Sequence, residues 1–184
     1  IHEQIMKPTI RALALEGRPY CGILYGGLIF TDRGPKVIEF NCRLGDPEAQ
    51  VVLPLLKTDI VDIFTAVCNG TLEEITIETD HQAATCVVMV SKGYPNEYQT
   101  GYPISGVEKA ESLEDLVVFH ASTEKINGQL VTGGGRVLGV TAVGKDIPSS
   151  MNLVYKAANQ IQFQDSYYRK DIGHRAIKWL DQFH

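Results

Sequence analysis

Residues 37–44 carry three polar side chains, Glu39, Asn41 and Arg43, at alternate positions between apolar ones. Successive side chains of a β-strand point to opposite faces, so this spacing predicts a strand with the three polar groups on one face. Carboxylate and amide oxygens are ligands that Mg²⁺ prefers, and a guanidinium can bind phosphate oxygens bidentately. The pattern therefore indicates a site for a metal ion and a polyphosphate. A solvent-facing edge strand with an ordinary ion pair is the alternative interpretation.

The residues around this strand are expected to position it. Its opposite face is apolar and is expected to lie in the core: Ile38, Phe40, Cys42 and Leu44. The strand leads into Asp46, Pro47 and Glu48, a pattern typical of a helix start with aspartate as the cap and proline in the first turn. The free N–H groups of such a helix start would favour an anion, although capping alone could account for the two acids.

The remaining elements follow from hydrophobic periodicity and turn residues. We expect helices over residues 1–16 and 59–68, and strands over 20–31, 36–43, 84–91, 117–122, 129–132 and 136–143. Two helices should close the chain, the first capped by Ser149 and the last carrying Ala176, Trp179, Leu180 and Phe183. A polar stretch over residues 71–82 indicates a boundary between two structural units. The pattern predicts an α+β protein.

Composition excludes several classes of protein. The 17 basic and 22 acidic residues give a net charge of −5, which argues against a surface for nucleic acid or anionic membrane. No apolar run approaches the ~20 residues that span a bilayer. The four cysteines are widely spaced in apolar segments, so we expect buried, reduced thiols in a cytoplasmic protein. The sequence opens on Ile1 inside a predicted helix, so we expect a piece of a longer protein.

Residues 21–56, CGILYGGLIFTDRGPKVIEFNCRLGDPEAQVVLPLL, resemble the ATP-grasp core of the phosphoribosylamine–glycine ligase family, also called glycinamide ribonucleotide synthetase. The resemblance continues through residues 93–95, 133–140 and 168–173, in the order found in the C-terminal part of that family. It implies the end of an ATP-grasp core over residues 1–80, followed by a small β-rich C-terminal domain over residues 81–184. The ATP-clamping lobe of the family would precede Ile1, so we expect this chain alone to be inactive.

The resemblance also implies a reaction and its participants. ATP, glycine and 5-phosphoribosylamine would give glycinamide ribonucleotide, ADP and phosphate through a glycyl phosphate, in de novo purine biosynthesis. Glu39 and Asn41 correspond to the family's ligands for Mg²⁺ or Mn²⁺, and Arg43 would neutralise the transferring phosphoryl group. Asp46 and Glu48 would lie near the amine-bearing substrates. The partners would be these small molecules and the missing N-terminal part of the enzyme, with neither nucleic acid nor membrane.

A glycine run at residues 133–135 precedes Arg136. Three glycines can serve a tight turn only, whereas the resemblance favours a substrate cradle in which Gly135 offers its backbone and Arg136 pairs with an anion. Two alternatives to the ligase stay open at this point. The chain could be a noncatalytic binding or interaction module, or it could belong to another ATP-grasp carboxylate ligase such as biotin carboxylase.

Overall fold

The structure is a computed structural model that describes residues 1–180, so the apolar position expected at Phe183 lies outside the described residues. The chain divides into two compact units. The first comprises Ile1–Ala49 and Leu56–Thr79, and the second comprises Gln50–Leu55 and the chain from Asp80 onward. Helices and antiparallel sheets occur together, which confirms the predicted α+β class.

The first unit opens with the helix that the sequence predicts. A π-helical turn over His2–Met6 runs directly into α1 (Lys7–Leu15). Pro8 lies in the first turn of α1, where its missing N–H removes none of that helix's own hydrogen bonds. Gly17 follows with φ +75°, the left-handed conformation that commonly ends a helix.

A two-stranded antiparallel hairpin, β1 (Tyr25–Thr31) and β2 (Gly34–Asn41), follows the helix. β1 is shorter than the sequence predicts, and β2 keeps the predicted length of eight residues but begins and ends two residues earlier. Residues 20–24 are not part of a strand, because Gly22 has φ +140° and the Tyr20 hydroxyl donates to the Ile23 carbonyl at 2.6 Å, which turns the chain locally. At the other end β2 stops at Asn41, so Arg43 lies beyond the strand.

The register of the hairpin contains a bulge beside the predicted site. Gly27 pairs with Glu39 while Leu28 pairs with Val37, which leaves Ile38 as the extra residue. Ile38 is 67% exposed, so its predicted place in the core is wrong. Phe40 and Cys42 are also exposed, and Leu44 is half-buried. A two-stranded ribbon has no second layer of sheet to cover it, and much of the apolar face of β2 is left in solvent.

The helix start predicted at Asp46 is also wrong. Residues 46–48 form a turn that contains a cis Asp46–Pro47 peptide bond, and the helix α2 (Ala49–Val52) begins only after it. This four-residue helix continues as a 3-10 turn over Leu53–Leu55. The helix therefore begins three residues later than predicted, and we assign no anion site to a helix this short.

The helix α3 (Ile60–Asn69) completes the first unit close to its predicted bounds of 59–68. The Asp59 carboxylate caps it by accepting the Val61 N–H at 2.8 Å. Gly70, with φ +71°, ends it in the left-handed conformation. Ile63 and Ala66 are its buried residues.

The second unit is built on a four-stranded antiparallel sheet in the order β4-β7-β3-β8. Its strands are β3 (Ala83–Ser91), β4 (Leu116–His120), β7 (Arg136–Gly144) and β8 (Ser166–Tyr167). A separate hairpin joins β5 (Thr123–Ile126) to β6 (Gln129–Thr132). The predicted strands are present, whereas β5 and β8 were not predicted.

Three helices accompany this sheet: α4 (Val107–Glu111), α5 (Ile147–Ala158) and α6 (His174–Leu180). The core between α5 and the sheet is fully buried and includes Val87, Met89, Leu138, Val140 and Val154. Asp146, rather than the predicted Ser149, caps α5, because its carboxylate accepts the Ser149 N–H at 2.7 Å. Within residues 1–180 no helix is long and apolar enough to cross a membrane.

Candidate active site

The end of the β1–β2 hairpin presents the two predicted metal ligands on one face. Glu39 and Asn41 are alternate residues of β2, and Asn41 pairs with Tyr25 at the end of the ladder. Gly27 pairs with Glu39, and a Cβ added at Gly27 would lie 3.1 Å from the Glu39 Cγ. The absence of a side chain at Gly27 therefore leaves the Glu39 carboxylate room above the sheet.

The Arg43 side chain contacts Asn41, but from a bend after β2 and not from within the strand as predicted. The strand has ended, but the chain bends so that Arg43 Nη2 donates to Asn41 Oδ1 at 3.4 Å, while Nη1 donates to the Leu44 carbonyl at 2.9 Å. The backbone contact fixes one edge of the guanidinium. The side chain is exposed, so its remaining N–H groups can bind an anion.

Glu48 is held near the end of the β1–β2 hairpin by Tyr25, a residue to which the sequence analysis assigned no role. The Tyr25 hydroxyl donates to Glu48 Oε1 at 3.0 Å. This hydrogen bond to a carboxylate is the main cause that raises the pKa of the Tyr25 phenol, with a smaller contribution from burial. The pairing of Tyr25 with Asn41 is a signal that only the strand register reveals. Asp46, two residues before Glu48, is exposed in the turn.

The donor set fits a hard divalent cation that keeps part of its own hydration shell. Glu39 supplies a carboxylate and Asn41 an amide oxygen, both of the type that Mg²⁺ prefers. No cluster of three or more His, Cys, Asp or Glu residues that could hold a metal occurs in residues 1–180. Two protein donors leave most coordination positions for water and substrate phosphate, which is the usual arrangement for Mg²⁺.

Gly135 and Arg136, the other predicted substrate residues, lie in the second unit at the start of β7. A Cβ at Gly135 would overlap the rings of Tyr94 and Tyr98, and the Gly135 carbonyl accepts the Ser91 N–H at 2.8 Å. Packing therefore accounts for the glycine by itself. Arg136 is half-buried. Substrate binding by Gly135 and Arg136 stays a prediction.

The cysteines differ from their predicted environment. Cys21, Cys42 and Cys68 are exposed, Cys86 is half-buried, and none of the four forms a disulfide within the part of the chain that the structure describes. The three exposed thiols line one cavity of about 640 Å³ in the first unit, together with Tyr20 and Phe64. Cys42 follows the end of β2 and is exposed like Ile38 and Phe40 within the strand.

Comparisons with known proteins match two segments of the chain to domains of one family. Residues 84–175 match the family model for the phosphoribosylglycinamide synthetase C domain, which is half of the chain. Residues 1–49, which contain Glu39, Asn41, Arg43 and Glu48, match the model for the ATP-grasp (A) domain of the same family. The chain belongs to the phosphoribosylglycinamide synthetase family. This membership decides against biotin carboxylase and the other ATP-grasp carboxylate ligases.

Individual relatives of the phosphoribosylglycinamide synthetase family agree with this assignment. The chain is 45% identical over 183 residues to a phosphoribosylamine–glycine ligase of Rhodopirellula baltica, and these residues are 99% of the chain and 42% of the relative. It is 48% identical over 183 residues to the trifunctional purine biosynthetic protein adenosine-3 of Gallus gallus, covering 99% of the chain and 18% of that protein. The chain thus spans less than half of either relative.

A solved structure shows the same fold. The crystal structure of a phosphoribosylamine–glycine ligase from Thermotoga maritima matches with a TM-score of 0.79 and 31% identity, covering 92% of this chain and 41% of that one. The prediction of an ATP-grasp core followed by a C-terminal domain of this family is confirmed as a fold class.

Proposed function

We propose that this chain is part of an enzyme that joins glycine to 5-phosphoribosylamine, giving glycinamide ribonucleotide, ADP and phosphate in purine biosynthesis. The observation that carries the proposal is the ATP-grasp match over residues 1–49, because it covers the end of β2 and the turn that holds Glu48. The named activity of the relatives from Rhodopirellula baltica and Allochromatium vinosum supports the same reaction.

The reaction brings two anions together. Glycine's carboxylate attacks the γ-phosphorus of ATP, releases ADP and becomes glycyl phosphate. The amine of phosphoribosylamine then attacks the acyl carbon and releases phosphate. Positive charge must offset the repulsion at the reacting oxygens. Glu39 and Asn41 would hold Mg²⁺ or Mn²⁺, which supplies that charge when bound, and the guanidinium of Arg43 would contact the transferring phosphoryl group.

The remaining predicted residues would bind the amine-bearing substrates. Asp46 and Glu48 offer carboxylates in the turn after β2, where Glu48 is fixed by Tyr25. Gly135 and Arg136 are proposed to contribute a backbone contact and a cation from the second unit. We propose that residues 1–80 form the end of the ATP-grasp domain and residues 81–184 the C-terminal domain of this enzyme, which would act in the cytoplasm.

We propose that the isolated 184-residue chain is inactive, since it spans only 42% of the Rhodopirellula baltica ligase. Function is tested by assaying the complete enzyme and the isolated chain with ATP, glycine and phosphoribosylamine. The complete enzyme should form ADP and glycinamide ribonucleotide in equal amounts. It should do so only when glycine and phosphoribosylamine are both present with ATP. ADP formation that does not depend on glycine would contradict the ligase. Equal turnover by the isolated chain would contradict its inactivity.

Isothermal titration of the isolated chain with Mg-ATP and with glycine separates the ligase from a noncatalytic binding module. A ligase fragment without a complete site should bind neither at physiological concentration. Two results together would favour the binding module. The isolated chain would bind either ligand tightly, and the complete protein would show no turnover.

A further inference from the structure

We propose that Tyr25 is a positioning residue, which orients the Glu48 carboxylate to bind the ammonium group of glycine. The inference rests on the proposed function and extends it, because it assigns Glu48 to one of two amine-bearing substrates. It also gives a role to Tyr25, to which the sequence analysis assigned none.

Tyr25 joins β2, called here the metal strand because it carries the proposed ligands Glu39 and Asn41, to the turn that bears Glu48. It is the first residue of β1 and pairs with Asn41, the last residue of β2. Its side chain is half-buried and reaches across to Glu48, where the hydroxyl donates to Oε1 at 3.0 Å. A single side chain therefore sets the distance between the end of the metal strand and the Glu48 carboxylate.

The turn holds Glu48 from the other side as well. Gly45 is buried, and a Cβ at this position would lie 2.9 Å from the Glu48 carboxyl carbon. The Ala49 N–H donates to the Gly45 carbonyl at 2.9 Å, which closes the turn around the glutamate. The Glu48 side chain thus lies between the backbone of Gly45 and the Tyr25 hydroxyl. A carboxylate offers about four acceptor positions, so one hydrogen bond from Tyr25 leaves others for a ligand.

The chemistry of the two amines decides which one a fixed carboxylate would bind. The amine of phosphoribosylamine attacks the acyl phosphate, so it must be neutral, with its lone pair free. The amine of glycine takes no part in the bond that forms and is protonated at neutral pH. An ionised carboxylate held by a neutral phenol forms its strongest hydrogen bonds with a cation. Glu48 is therefore matched to the glycine ammonium.

Tyr20 provides the matched control for this tyrosine. Its hydroxyl also donates a hydrogen bond in the first unit, but to the backbone carbonyl of Ile23, three residues away. Tyr20→Phe therefore removes the 2.6 Å hydrogen bond to a backbone carbonyl and a contact with the Cys42 side chain, without touching a carboxylate. A merely structural role for Tyr25 would make the two Tyr→Phe variants behave alike.

The test uses the complete enzyme with Tyr25→Phe, Glu48→Gln, the double variant and Tyr20→Phe, with separate KM values for glycine, phosphoribosylamine and ATP. Tyr25→Phe should raise the KM for glycine about tenfold, the size of one hydrogen bond to a charged group. The KM values for phosphoribosylamine and ATP should stay within about twofold of those of the unmodified enzyme. The melting temperature should stay within about 2 °C. The double variant should be no worse for glycine than Glu48→Gln.

Three results would overturn the inference. These are an unchanged glycine KM in Tyr25→Phe, a rise confined to the KM for phosphoribosylamine, or a glycine effect that adds fully to that of Glu48→Gln. If the unmodified complete enzyme shows no glycine-dependent ADP formation, the proposed function fails instead. An active unmodified enzyme with an unaffected Tyr25→Phe variant rejects the role of Tyr25 alone.

Discussion

Arg43 places its Nη2 atom 3.4 Å from the Oδ1 atom of Asn41, although β2 ends at Asn41 and Arg43 lies beyond it. A guanidinium beside a proposed metal ligand can hold a phosphoryl group next to the cation. The same guanidinium is fixed by its hydrogen bond to the Leu44 carbonyl at 2.9 Å. The planar fork therefore contacts the protein through both terminal nitrogens and still has N–H groups left for the proposed phosphoryl group, an arrangement that an ammonium group cannot reproduce.

Arg43→Lys should lower kcat/KM of the complete enzyme by at least about tenfold, because a point charge cannot make the paired contacts of the fork. The melting temperature should hardly change, since Arg43 is exposed. Steady-state kinetics with ATP as the varied substrate measures the effect, and Arg33→Lys in the β1–β2 turn is the control. Equal kinetics for the two variants would reduce Arg43 to a structural role.

Gly45→Ala should displace the Glu48 carboxylate, because the new Cβ would lie 2.9 Å from Glu48 Cδ and 3.1 Å from Glu48 Cβ. We expect a raised KM for glycine with little loss in the free energy of unfolding, because the end of the glutamate side chain can move aside. The control is Gly139→Ala, whose Cβ would have no described neighbour closer than 3.5 Å. Urea unfolding and the glycine KM are the measurements, and equal behaviour of the two variants would contradict the arrangement at Glu48.

Gly106→Ala should destabilise the second unit strongly. Gly106 has φ +83°, and an added Cβ would overlap the backbone carbonyl of Gln160, which cannot move like the end of a side chain. Gly128 has a similar φ of +81°, but no described atom lies within 4 Å of its added Cβ. We expect about 1–2 kcal/mol for Gly128→Ala from backbone strain alone and at least about 3 kcal/mol for Gly106→Ala. Urea unfolding that ranks them equally would show that the Gln160 contact is absent.

Asp146 should make the stability of the α5 helix depend on pH. Hydrogen bonds from the Ser149 hydroxyl and then from its N–H lower the pKa of the Asp146 carboxyl below its ordinary value of 3.8. A lowered folded-state pKa stabilises the fold above the unfolded pKa, and this stabilisation disappears as the pH falls through the folded pKa. Asp146→Asn keeps a cap that cannot titrate.

As the pH falls from about 5 to about 3, the unmodified chain is expected to lose stability relative to Asp146→Asn. This approximate window is set by the ordinary aspartate pKa. Urea unfolding at a series of pH values measures this difference, with Asp32→Asn as the control for an exposed aspartate. A difference that does not vary with pH would show that the Asp146 cap is not formed.

Local sequence signals predicted much of this fold, and the failures have physical causes. Asp59 and Gly70 mark both ends of α3 correctly, because capping depends only on neighbouring residues. The turn at residues 46–48 has the residue types of a helix start, and nothing in the local pattern distinguishes the two. The strand β8 is two residues long and exists through its pairing with Val90 and Ser91, which lie far away in sequence.

The candidate site shows the same division. Alternation predicted that Glu39 and Asn41 share a face, since it is a property of any strand. The bulge at Ile38 and the contact between Tyr25 and Glu48 depend on how two strands pair, so no reading of one segment could supply them. Arg43 reached its predicted neighbour Asn41 through a bend instead of the predicted strand.

The central claim is that Glu39 and Asn41 hold the divalent cation of a glycine-activating ligase. The most direct test measures ADP formation by the complete enzyme against Mg²⁺ concentration for the unmodified protein, Glu39→Gln and the exposed control Glu73→Gln. Glu39→Gln should need about tenfold more Mg²⁺ for half-maximal rate and should turn over more slowly, with an unchanged melting temperature. A Glu39→Gln variant with the Mg²⁺ dependence and turnover of the unmodified enzyme would contradict the account.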